Sequence, residues 1–292
     1  MGGVSSERDV SIDSGKNVAD ALESIGYDVV RTVLDAENLD AMPKDVDAAY
    51  IALHGKWGED GGVQRLLDAL AIPYTGPGAE ASKAAMDKIA TKRILDAKGV
   101  PTAPWTIVEK CGEPPFPFPF VVKTAQGGSS IGVHLVKDAE KYREALDNCF
   151  SLDSAGVIAE KFIDGREATV AVIDGETLPP IEISAAGGWY DYDAKYISDA
   201  TRYDFLPDGE LARALSATAL DAYRAIGCRS VTRVDFRIDR SGRPFVLELN
   251  TSPGFTAHSL VPKAGMKTGL TFAQVCEKIL LTARCDAAGG VR

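Results

Sequence analysis

The segment Val231–Asn250, VTRVDFRIDRSGRPFVLELN, alternates polar and apolar residues on either side of a turn centred on Arg240–Ser241–Gly242. A period of two about such a turn spells a β-hairpin with one polar and one apolar face. In its first strand Arg233 and Asp235 share a face, while Val234, Phe236 and Ile238 occupy the other. In the second, Glu248 and Asn250 share a face, opposite Phe245, Leu247 and Leu249. Antiparallel pairing sets Asp235 across from Glu248 and Arg233 across from Asn250. Directly opposed carboxylates repel unless positive charge lies between them. A divalent cation is the simplest remedy, and two carboxylates with an amide oxygen suit Mg²⁺. The competing account is a solvated strand face with its charges spread in water. Four polar residues converging there and running into Thr251–Ser252–Pro253–Gly254 favour the metal.

Upstream, Lys123–Ser130 (KTAQGGSS) joins the strand patterns Phe120–Lys123 and Ile131–Val136. It is therefore a glycine flap between strands, and no G-x-x-x-x-G-K-[ST] phosphate loop occurs in the chain. Its N–H groups, with Lys123 at the base, suit nucleotide phosphates, and an ordinary mobile hairpin loop explains it equally well. Asp138 caps a helix, Val157–Phe162 is a strand, and Glu167–Ile173 turns at Asp174–Gly175. Ser184–Pro207 is long and aromatic, which favours a lid. A helix follows over Asp208–Ile226.

The first third of the chain reads differently. Val18, Ala21, Leu22 and Ile25 recur at helical spacing up to Gly26, and Tyr27–Val33 and Ala48–Leu53 read as strands. Val63, Leu66, Leu67 and Leu70 mark another helix. This alternation predicts a parallel sheet covered on both faces. Ser82 is expected to cap one helix running to Lys98, with Met86, Ala90, Ile94 and Ala97 on a single stripe and Lys88 facing away. Gly76–Ala81 (GPGAEA) formally matches a dinucleotide fingerprint, but follows a weak strand and lacks the downstream acidic residue; it reads as a turn joining domains. Cys111–Pro119, with four prolines, is a connection.

The chain's 292 residues are 45% hydrophobic, enough for two or three domains, and no apolar run approaches a membrane span. A formal charge of −10 repels a phosphate backbone and argues against nucleic acid as the main partner. Five cysteines without a Cys-x-x-Cys pair indicate neither a disulfide framework nor a zinc site, and fit a reducing cytoplasm.

Several pieces occur together in one order: GGVSSERDVS (2–11), IALHGKWGEDG (51–61), PYTGPG (73–78), Met86–Lys88, VVKTAQGGSSIG (121–132), YDYDAKY (190–196), Thr232–Asp235 and LELNTSPGFTAHSL (247–260). The series resembles the D-alanine–D-alanine ligases of the ATP-grasp superfamily. The resemblance implies an α/β fold with an α+β ATP-binding part. It places an N-terminal α/β substrate-binding domain at 1–80, a central ATP-grasp domain at 81–165, and a C-terminal one at 166–292 with a lid at 184–207. It also implies that ATP phosphorylates one D-alanine and that the amine of a second displaces the phosphate, supplying peptidoglycan precursors. A homodimer in the bacterial cytoplasm, with no membrane or nucleic-acid partner, is implied as well.

By the same resemblance Asp235, Glu248 and Asn250 would hold two Mg²⁺ ions, with Mn²⁺ as an alternative. Lys88, Lys123 and Lys195 would contact phosphates. Glu160, Lys161 and Ile163 would meet the adenine, and Glu167 the ribose. Glu7 would pair with the first D-alanine's ammonium near His54. Arg233 and the Gly254 N–H would stabilise the attacked carboxyl oxygen. Ser259 and Leu260 would bind the second carboxylate. Glu7, Ser129 and Tyr196 would close the lid, and Tyr196 favours an amine over D-lactate as second substrate. Family members carry an apolar strand before the Gly2–Gly3 pair, so a natural protein beginning upstream, or an impaired form, is expected. The rivals are a D-alanine–D-lactate ligase, an ATP-binding protein without turnover, and, on the GPGAEA match alone, a nicotinamide oxidoreductase.

Overall fold

The computed structural model describes residues 1–36, 42–128, 131–153, 155–184, 201–256 and 259–286. It begins with helix α1 (Arg8–Ser24), which buries Val18 and Leu22 as their spacing requires. Its first turns bury Ser11 and Ser14 as well, polar positions that carry no apolar signal. The expected strands Tyr27–Val33 and Ala48–Leu53 form no ladder. Isolated parallel bridges, Gly2 with Leu34 and Ala49 with Tyr74, keep the parallel relation. Extended chain becomes a strand only where a neighbour offers its own N–H and C=O along it. Both segments instead line a cavity of about 540 Å³.

Helix α2 (Gly62–Ala69) follows, and then two helices stand where one was expected: α3 (Ala79–Met86) and α4 (Lys88–Lys98). The break lies at Asp87, whose φ of −93° and ψ of 107° leave the helical region. Its carboxylate accepts from the N–H groups of Ile89 at 2.8 Å and Ala90 at 3.0 Å, and so starts a new helix. The break rotates the buried face. The expected stripe through Met86, Ala90, Ile94 and Ala97 is replaced by Lys88, Thr91, Lys92 and Leu95.

The rest is built on two antiparallel sheets. Strands β1 (Trp105–Val108), β2 (Phe120–Thr124), β3 (Val133–Val136) and β4 (Val157–Lys161) form a four-stranded sheet ordered β1-β4-β2-β3. Helix α5 (Ala139–Leu152), capped by Asp138 as expected, packs Tyr142, Leu146 and Cys149 onto Phe120 and Val122. Strands β5 (Gly165–Ile173), β6 (Glu176–Thr177), β7 (Ile181–Ser184), β8 (Arg202–Phe205), β9 (Val231–Asp239) and β10 (Pro244–Asn250) form the second sheet, ordered β10-β9-β5-β7-β8 with β6 on β5. Residues 202–205, expected as irregular lid, thus belong to a strand: alternate Tyr203 and Phe205 pack on the core and hold it there. Asp174 and Gly175, both at positive φ, make the tight β5–β6 turn.

Both faces of the second sheet are buried. Val170, Val172, Val234 and Phe236 meet Leu215, Ala219 and Ala222 of helix α6 (Glu210–Ile226). Ala171, Ile173, Ile181 and Ile183 meet α1 and the helices α7 (Leu260–Lys267) and α8 (Phe272–Leu280). The cleft between the two sheets is where the polar residues gather. No helix of the described residues is long and apolar enough to cross a membrane.

Candidate active site

The β9–β10 hairpin forms the floor of the cleft. Glu248 pairs with Asp235 and Asn250 with Arg233, the register expected from the sequence. A β-bulge makes that register. From Pro244–Ile238 the ladder runs regularly to Val246–Phe236, and a further regular step would set Leu247 against Asp235; the bulge advances β10 so that Glu248 arrives there. It also shifts the faces. Val246 joins Leu249 in the core, whereas Leu247, expected on the apolar side, lines the cleft.

Asp235 is met from within the protein by the Arg233 guanidinium, at 2.9 Å to Oδ1 and 2.8 Å to Oδ2. Thr169 Oγ1 donates to Oδ1 at 2.6 Å and Asn250 Nδ2 to Oδ2 at 2.9 Å. Asp235 thus already carries one cation at its carboxylate, that of Arg233. Among the described residues no cluster of three or more His, Cys, Asp or Glu side chains forms a metal site. The donor set here is two carboxylates and one carboxamide oxygen, hard ligands that fit Mg²⁺ with phosphate oxygens completing its shell.

One half of the cleft is lined by Lys88, Lys123, Gly127, Gly128, Glu160, Lys161, Ile163, Glu167, Asp235 and Glu248. Lys88 heads α4, and its Nζ donates to Gly127 O at 2.9 Å, tethering the glycine flap. Lys123 on β2 reaches Glu160 Oε2 on β4 at 2.9 Å. Lys92, the next turn of α4, reaches Glu160 Oε1 at 3.0 Å. Burial pushes the Glu160 carboxyl up, but the two lysine cations together outweigh it and hold the group at about 2. Arg237, also buried, pins the chain that enters β5. It donates to Ile163 O and Gly165 O, each at 3.0 Å, and to Glu167 Oε1 at 2.9 Å. It lies on the same strand face as Arg233 and Asp235, a period-two signal in the sequence, yet nothing local shows that Glu167 receives it.

The other half, a cleft of about 380 Å³, is lined by Glu7, His54, Glu59, Arg233, Gly254, Ser259 and Leu260 and shares Lys88, Gly127, Gly128 and Glu248 with the first. Glu7 precedes α1. A Cβ built on Gly128 would lie 3.7 Å from its Oε2, so the flap reaches across to it. His54 is buried, with Nδ1 2.8 Å from Ser252 O and Nε2 3.3 Å from Ser14 Oγ. Ser14 Oγ also accepts from Phe255 N at 3.1 Å, which leaves its proton for Nε2 and assigns the Nδ1–H tautomer. Burial lowers the imidazole pKa, with Glu7 pulling the other way, so the ring is neutral and braces the 252–255 loop.

Glu59 lies in the 51–61 stretch that carries the resemblance but has no role there, and the structure brings it to the same half of the cleft as His54. Its Oε2 accepts from Gly55 N at 2.8 Å and Oε1 from Ser252 N at 3.2 Å. Enclosure of the carboxyl, with the Glu7 charge second, pushes it up to about 8. Ser259 begins α7, and its Oγ accepts from Thr256 N at 2.9 Å. The α7 N-terminus at Ser259–Leu260 thus opens on the cleft with helix-start N–H groups, the arrangement that suits a carboxylate. Of the expected residues, Ser129, Lys195 and Tyr196 lie outside those described, as does most of the 184–207 lid. The GPGAEA turn is spoken for by the protein itself: Ala79 N, at the start of α3, donates to Asp286 Oδ2 at 3.2 Å, and Asp286 also pairs with Arg229. No dinucleotide phosphate has room at Gly78, where an added Cβ would lie 1.9 Å from Asp286 Oδ2.

Two family models match the chain: D-ala D-ala ligase N-terminus over residues 32–77 and D-ala D-ala ligase C-terminus over residues 94–281. The D-alanine–D-alanine ligase of Anaeromyxobacter sp. (strain K) is 44% identical over 290 residues, covering 96% of this chain and 94% of that protein. That of Methylacidiphilum infernorum (isolate V4) is 40% identical, covering 96% and 92%. Among solved structures, the D-alanine–D-alanine ligase of Bacillus anthracis superposes with a TM-score of 0.87 at 38% identity, over 97% of this chain and 95% of that one. The Bacillus anthracis ligase complexed with ATP gives 0.85 at 36%, over 97% and 94%.

Proposed function

The chain belongs to the D-alanine–D-alanine ligase family, and from that premise we propose that it joins two D-alanines to D-alanyl-D-alanine through a D-alanyl phosphate, releasing ADP and phosphate. It is an enzyme whose substrate is ATP. One observation carries the reading: Asp235 and Glu248 face each other on a hairpin at the junction of a lysine-lined half-cleft and a half-cleft holding Glu7, Arg233 and the α7 N-terminus.

In this reading the nucleotide lies between the sheets, with its base toward Glu160–Ile163, its ribose at Glu167 and its phosphates near Lys88 and Lys123. Asp235, Glu248 and Asn250 would hold Mg²⁺, or Mn²⁺, which when bound neutralises charge on the β- and γ-phosphates. Glu7 takes the ammonium of the first D-alanine. That fixes its carboxylate beside Arg233, where an oxygen attacks the γ-phosphorus as the bond to ADP breaks. The amine of the second D-alanine, its carboxylate on the Ser259–Leu260 N–H groups, then attacks the acyl carbon. Arg233 and the Gly254 N–H meet the negative charge that develops on the oxygen, and phosphate leaves. Lys195, Ser129 and Tyr196 complete the site in this reading by closing over it, and closure keeps water from the acyl phosphate. A homodimeric cytoplasmic enzyme feeding peptidoglycan synthesis belongs to the same proposal, supported by the family.

The test is phosphate release with ATP, Mg²⁺ and D-alanine, with L-alanine and D-lactate as controls and the product weighed by mass spectrometry. Release that needs only D-alanine and yields the dipeptide is expected. A product containing lactate moves the chain to the depsipeptide branch, and ATP binding without turnover removes it from the enzymes.

A further inference from the structure

Lys92 lines neither half of the cleft, yet it is only 1% exposed and lies one helical turn from Lys88. Its Nζ has two partners from different parts of the chain: Glu160 Oε1 at 3.0 Å and Thr102 Oγ1 at 2.5 Å. Thr102 in turn donates to Val246 O at 2.8 Å, on the last regular pair before the β10 bulge. The ammonium is therefore held from two sides, by β4 and by Thr102, which is itself tied to β10 just before Glu248. Glu160 divides its two oxygens between two lysines, Oε1 to Lys92 and Oε2 to Lys123. The three side chains carry two positive charges and one negative charge, all buried. Of the two cations, Lys123 alone lines the cleft.

We propose that Lys92 is a positioning residue of the nucleotide site: by neutralising Glu160 from behind, it leaves the charge of Lys123 directed at the polyphosphate. Without Lys92 the Glu160 carboxylate has one cation to satisfy it, and Lys123 becomes half of a buried neutral pair. Close charges in a poorly screened site interact far more strongly than at the surface, so the loss is felt by an anionic ligand and not by a neutral one. This rests on the reading of the lysine-lined half-cleft as the nucleotide site.

The experiment is calorimetric titration of the intact protein with ATP and Mg²⁺, and separately with adenosine. Lys92→Met is expected to weaken ATP binding about tenfold while adenosine binding stays within about twofold. Lys92→Gln, which keeps a hydrogen-bond donor for Glu160 but no charge, is expected to do the same and serves if Lys92→Met does not fold. Thr102→Val, which breaks the tether but moves no charge, is expected to leave ATP binding within about twofold. Equal losses for ATP and adenosine, or a Thr102→Val loss as large as that of Lys92→Met, would each overturn the proposal. Failure of the wild type to bind ATP would instead overturn the nucleotide reading itself.

Discussion

Arg233 stands between the two halves of the cleft: it lines the half that holds Glu7 and clasps Asp235, which lines the lysine-lined half. In the proposed reaction, replacing it removes charge from the attacked carboxyl and takes the guanidinium from Asp235, which keeps its bonds from Thr169 and Asn250. Arg233→Ala is expected to lower kcat by roughly 10²–10³-fold, with a smaller change in the KM for ATP, as steady-state kinetics would read directly. A change in the KM for ATP alone would place Arg233 outside the chemistry. Glu59 makes a prediction about pH. Its carboxyl is pushed up from 4.5 to about 8 in the folded protein, mainly by burial. The folded state therefore keeps a proton that the unfolded chain gives up over that interval. Stability from this group is fully present below pH 4.5 and is lost as the pH rises toward about 8. Urea midpoints for the wild type should fall more steeply across this window than those of Glu59→Gln. Parallel pH profiles for the two proteins would refute the assignment.

Among the elements, α4 does most to assemble the site, since it delivers Lys88 to the flap and Lys92 to Glu160. Its start depends on Asp87, which ends α3 and caps α4 in one residue. Asp87→Ala should cost about 1 kcal/mol, read as a lower urea midpoint at unchanged m, and should raise the KM for ATP because both lysines ride on that helix. An unaltered midpoint would mean that packing alone sets the helix start. The same element shows why part of the site is hidden in the sequence. Met86, Ala90, Ile94 and Ala97 form a plausible apolar stripe, and a continuous helix through them turns Lys92 toward solvent. The break at Asp87 and a carboxylate arriving from β4 turn it inward instead. The hairpin is the opposite case. Its alternation announces Asp235 and Glu248, but the bulge that aligns them has no mark in the residues around Leu247.

At the scale of the molecule, two antiparallel sheets enclose the cleft, and each contributes residues to its lysine-lined half. A ligand gripped by both should couple them. At about 100 times its Kd, ATP with Mg²⁺ is expected to add roughly 2.7 kcal/mol of stability and to raise Tm by several degrees. A rise confined to one of two separate unfolding transitions would show that the sheets do not grip the ligand together. The hairpin, the glycine flap, the Asp138 cap and the Asp174–Gly175 turn were legible because each depends on residues a few positions apart. Period, cap and turn chemistry are local properties of a chain. The Lys92–Glu160–Lys123 cluster, the grip of Arg237 on Glu167 and the raised carboxyl of Glu59 were not legible. Whether a charge is buried, and what its burial does to it, depends on which distant segment folds against it, and that is settled when the sheets and helices pack.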